Sequence, residues 1–158
     1  MSDEVQKPLG YRAVDVVRGY ADRDAIVVQD ALAGLEAVAW MEIYAVLSGL
    51  LRSTVSIIEV TGEQWTAGQL VEHADQVAAA APPHYEFTIA ETARAWARGD
   101  QSALSALPGQ DPLEAVHVTA VFVAALGLAL WGRTGFLGVL TAYDDTVTAI
   151  ANGQPSGL

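Results

Sequence analysis

The chain contains no cysteine, which excludes disulfides, thiolate metal sites and thiol nucleophiles. Lysine is almost absent: Lys7 stands alone beside seven arginines, and the eight basic residues face 19 acidic ones for a net charge of −11. So acidic a chain has little with which to neutralise phosphates, so neither nucleic acid nor an anionic membrane surface is an expected partner. A DNA mimic has this sign of charge but needs dense acidic stripes, and no run here exceeds two adjacent acids. Solubility is the simplest use of the charge. Recognised chemical motifs are missing too. There is no phosphate loop, no G-x-S-x-G elbow, no H-E-x-x-H and no calcium-loop acid pattern. No catalytic residue, metal ligand or cofactor is therefore assigned from motifs. The opening Met1-Ser-Asp-Glu4 is acidic rather than a basic leader with an apolar run, so the expected location is cytoplasmic.

What is present is apolar and helical. Just over half of the 158 residues are hydrophobic, far above the composition of disordered chains. One domain of this length buries roughly two-thirds of its unfolded surface. Abundant alanine and arginine in place of lysine suggest a high-GC bacterial genome. No stretch alternates with period two, so the fold class is all-α: a compact bundle of about seven to eight helices in a single domain, 1–158.

The boundaries follow from local signals. A helix is expected over 10–21, then one over 25–33 capped by Asp22 or Asp24 and interrupted at Gly34. The third runs over 35–59, with Val55–Val60 as its end. Thr61-Gly62 turns the chain, and Thr66 caps a helix to Ala81. Pro82-Pro83 is the clearest breaker. A helix over 84–98 ends at Gly99, and Asp100 caps a short segment to Leu107. Pro108-Gly109 makes the next turn. Asp111, Pro112 and Glu114 then occupy the cap, first and third positions of a strong helix start, so the Glu114 carboxylate can reach back to the cap. That helix extends to Trp131, with Gly132 near its end. The last covers 136–151, and 153–158 form a frayed tail.

The chain also reads as two copies of one pattern, 10–81 and 84–152. Tyr11 to Asp24 aligns with Phe87 to Asp100 at an offset of 76, and Leu35-Glu36-Ala37-Val38 recurs as Leu113-Glu114-Ala115-Val116 at an offset of 78. Asp15 and Arg18, three apart on a helix, correspond to Glu91 and Arg94. A duplication predicts a pseudo-twofold arrangement with the two long helices packed at the centre. Gly49 and Gly127 fall at matching positions, so both are expected near the crossing.

The 18 residues from Ala115 to Gly132 carry no formal charge, and at about 1.5 Å per residue they reach roughly 27 Å. A membrane span and a fully wrapped core helix both fit. The first-copy counterpart carries Glu42 and Arg52, which are costly in lipid, so the expectation is a core helix and no membrane span.

Three functional readings remain. The first is a soluble, non-enzymatic module acting through protein–protein contacts as a homodimer. The second is a small-molecule binder with an apolar pocket between the long helices, lined by Trp40, Glu42, Tyr44, His117 and Phe122. The third is an enzyme in which Glu42 orients His117 as a general base, since each is a polar intrusion in an apolar helix and the two lie three positions apart in the common frame. The expected partners are thus a second copy, another protein or a small apolar ligand. Glu114-x-x-His117 has the spacing of di-iron bundles but no second copy, as Ala39 stands opposite His117. His73 and His84 read as solvated.

Overall fold

The computed structural model describes residues 9–61, 67–100, 102, 106–107, 109 and 111–151. Among these the chain is all-helical, with no strand. Helix α1 spans Leu9–Ala21, α2 Ala25–Leu32, α3 Ala37–Thr61 and α4 Ala67–Val77. Two single 3-10 turns, Ala78–Ala80 and Pro83–Tyr85, flank the proline pair and lead into α5, Glu86–Ala97. The last helix, α6, spans Pro112–Ala151.

The local signals place most boundaries within two or three residues. The carboxylate of Asp24 accepts from the amides of Ile26 and Val27, and α2 stops before Gly34, whose φ of +75° suits a residue without a side chain. The Asp111 carboxylate accepts from the amides of Leu113 and Glu114 to start α6. The reach-back of Glu114 is not what satisfies the cap, because the amide of Asp111 donates to the carbonyl of Leu107.

Six α-helices stand among the described residues, against the seven to eight expected. The last two expected helices are joined: α6 continues through Gly132, whose φ of 73° and ψ of 169° break the helix geometry and bend it into two legs. The second leg thus begins at Arg133, not at residue 136. Half of the segment from Asp100 to Leu107, the Gly62 turn, the Thr66 cap, Pro108 and the tail 153–158 lie outside the described residues.

The first leg of α6 is the centre of the molecule. Thirteen consecutive residues, Ala115 to Gly127, are all buried, so the helix is covered on every side by α1, α3, α4 and α5. Over its whole length α6 makes its most extensive contact with α3. The predicted glycine crossing is corrected. A Cβ on Gly49 would meet nothing within 4 Å, so α3 does not use this position inside the chain. A Cβ on Gly127 would instead run into the ring of Phe136, which the bend at Gly132 folds back from the second leg. The close approach is therefore between two legs of one helix. Phe136 also stacks on Trp131, with ring centroids 5.9 Å apart.

The packing does not repeat with a twofold. α1 packs on α2, α3 and α6, whereas its counterpart α5 packs on α4 and α6 and has no comparable seat on α3. Arg18 shows the same divergence: it bonds Asp15 at 3.2 Å and reaches Asp144 on α6 at 2.9 Å. Glu91 and Arg94 are exposed and form no ion pair among the described residues.

The expectation of no membrane span is also corrected. Over Pro112–Asp145, 34 residues that include an 18-residue window of mean hydropathy 2.0, α6 is long and apolar enough to cross a bilayer. In the structure 72% of that window is buried inside the fold, a property that the core helix of a globular protein shares. The sequence argument failed because Glu42 and Arg52 are charges of α3, and they constrain nothing about α6 itself.

Candidate functional site

Two places combine unusual chemistry with defined geometry: a polar cluster inside the bundle, and an apolar groove on its side.

The cluster forms where the first leg of α6 passes α1. His117 is 4% exposed, and its Nδ1 lies 2.6 Å from the hydroxyl oxygen of Tyr20. Burial lowers the His117 pKa to about 4, with nearby His84 adding to the effect and Asp111 opposing it. Burial also raises the Tyr20 pKa, with Tyr85 contributing. At neutral pH both groups are thus uncharged. The Tyr20 hydroxyl and His117 Nδ1 share a hydrogen bond between two neutral groups, with the donor set by the imidazole tautomer. Tyr85, brought in by the 3-10 turn after Pro82, lies against the other side of the imidazole, with centroids 5.0 Å apart. His84 is exposed and its ring packs on Tyr85 at 4.2 Å.

In either tautomer Nδ1 is engaged by Tyr20, and Glu42 is not its partner. What the pair does is tie α1 to α6 through two buried polar groups, each of which would be costly alone.

The groove lies between α3 and the second leg of α6. It encloses about 260 Å³, with Leu50, Ile57, Trp131, Phe136, Leu140 and Tyr143 forming most of its apolar wall. The hydroxyl of Thr54, also at the groove, is already committed to the carbonyl of Leu50 at 2.8 Å. Ile57 and Val139 remain 39% and 37% exposed at its rim.

The five residues singled out from sequence are not gathered at one site. His117 and Phe122 are buried on α6, Phe122 stacking on Trp96 of α5 at 4.9 Å. Trp40 and Tyr44 are half-buried on α3, and Trp40 Nε1 is buried without a hydrogen-bond partner. Glu42 is exposed and borders a shallow depression of about 480 Å³ with Leu9, Gly34 and Val38. His117 makes its contacts with Tyr20 and Tyr85, and none of the five lines the apolar groove. No cluster of metal-binding side chains occurs among the described residues.

Sequence reasoning overlooked Tyr20. The signal was available: a tyrosine on the buried stripe of α1 needs a partner for its hydroxyl, and the one histidine on the apolar stretch of α6 needs one for its ring.

No family model, curated protein or solved structure matches the chain.

Proposed function

We propose that the chain is a helical interaction module that acts through protein–protein contacts, with a second copy of itself as partner. The observation that carries this reading is the incomplete use of α3. Its 25 residues are mostly apolar; of those whose burial is described, Ile43, Leu47, Leu51 and Thr54 are buried and Trp40, Tyr44, Val46, Leu50 and Val55 pack half-buried against the core. Val38 is 74% exposed, Met41 41% and Val60 86%. Large apolar side chains left exposed at both ends of one helix are a common mark of a protein-binding face. The test is native mass spectrometry of the purified chain. Twice the chain mass supports the reading, and a single chain mass at every concentration overturns it.

A second reading rests on the groove. Its volume lies just below the range of small-molecule sites, and its wall is largely apolar. Here the module takes up a small apolar ligand between α3 and α6. A discrete excess of a few hundred daltons, lost in Ile57→Glu, would favour this reading over the first.

The repeat itself rests on the sequence alignment of Tyr11–Asp24 with Phe87–Asp100, and we take the two halves as products of a duplication.

A further inference from the structure

We infer that the partner docks antiparallel along α3, so that two copies pair their exposed α3 faces about a twofold centred at residue 47. The inference rests on the homodimer reading above and adds the surface and the register.

The face is continuous. Val38, Met41, Ala45, Gly49, Arg52 and Ser56 follow one another at steps of three or four, which places them on one side of a helix. Five of them are exposed, and Gly49 is half-buried with open space beyond it. That space matters because other glycines are occupied: a Cβ on Gly19 would meet Val28 at 2.7 Å, and one on Gly127 would strike Phe136. At Ala45 and Gly49 the helix surface is at its lowest, and no described residue fills the space beside Gly49. A second helix can approach closely only at such a place.

The charges select the partner. Glu42 and Arg52 are both exposed, and neither has an ion-pair partner among the described residues. They lie five residues before and five after position 47. Ala45 and Gly49 lie two before and two after it, and Val38 and Ser56 nine on either side. In an antiparallel pair about that centre, Glu42 of each copy faces Arg52 of the other, twice by symmetry, while Ala45 meets Gly49 at the closest approach. A parallel pair would set Glu42 against Glu42 and Arg52 against Arg52. The face is thus complementary to itself in one orientation and repulsive in the other.

Charge reversal tests the register in the full chain. Sedimentation velocity at low salt would compare wild type with Glu42→Arg, Arg52→Glu and the double reversal. Each single variant sets like charges opposite one another at two places and is expected to weaken the dimer about tenfold. The double variant restores both pairs and should return to within about twofold of wild type. Because the chain has no cysteine, Ala45→Cys combined with Gly49→Cys should also give a covalent dimer on mild oxidation. Single reversals without effect, or a double variant weaker than either single, would overturn the α3 register while leaving the homodimer reading intact. A wild-type chain that stays monomeric throughout would remove both.

Discussion

Protonation of His117 should make stability fall steeply in mild acid. An imidazole of ordinary pKa 6.5 is held at about 4 in the folded chain, chiefly because burial disfavours its charged form. Between those values the unfolded chain binds a proton that the native state does not, so stability rises with pH across this window and is lost as pH falls through it. At ~1.4 kcal/mol per pH unit, the full depression amounts to about 3 kcal/mol, of which about 2 kcal/mol is gone by about pH 5. His117 is almost fully enclosed, so solvent screening does little to reduce this figure. Urea unfolding followed by tryptophan fluorescence at about pH 7.5 and pH 5 measures the loss, and His117→Asn supplies the reference because the other titrating groups cancel between the two chains. Tyr20→Phe separates burial from the hydrogen bond. It leaves Nδ1 without its partner and should cost about 1–3 kcal/mol at both pH values, with the slope retained. Parallel losses in wild type and His117→Asn would refute the reasoning, since His117 would then titrate as it does in water.

Two further predictions concern glycines. Gly127→Leu should destabilise by about 1–3 kcal/mol because Phe136 occupies the space beside it; thermal unfolding checks this, and a neutral outcome would mean that the ring does not fill that space. Gly132→Ala should cost about 1–3 kcal/mol, because φ 73° with ψ 169° is a region only glycine occupies readily; a neutral outcome in the same assay would mean that the bend survives in another conformation.

Much of the fold was legible in the sequence. The Asp24 and Asp111 caps, the proline pair at 82–83 and the left-handed glycines act within a few residues, and their effect is much the same wherever the helices later pack. The apolar run of α6 was legible too, but a membrane span and a wrapped core helix share it, and the sequence does not choose between them. The site was not. His117 stood out as a buried polar residue, but its pairing with Glu42 was drawn from an assumed twofold, and the chain gives it Tyr20 instead. The failure at Gly127 has the same root: matching sequence positions suggested α3 as its neighbour, while the bend at Gly132 supplied Phe136 from the same helix.

The sequence by itself determined the helix content and most helix boundaries, because capping, backbone restriction and hydrophobic period are local quantities. Only the tertiary structure decided which buried polar groups meet, which glycine receives a ring and which side of α3 is left uncovered. An apolar helix can bury any of its faces. The choice falls to the relative placement of α1 and the two legs of α6, which packing sets and no single segment encodes.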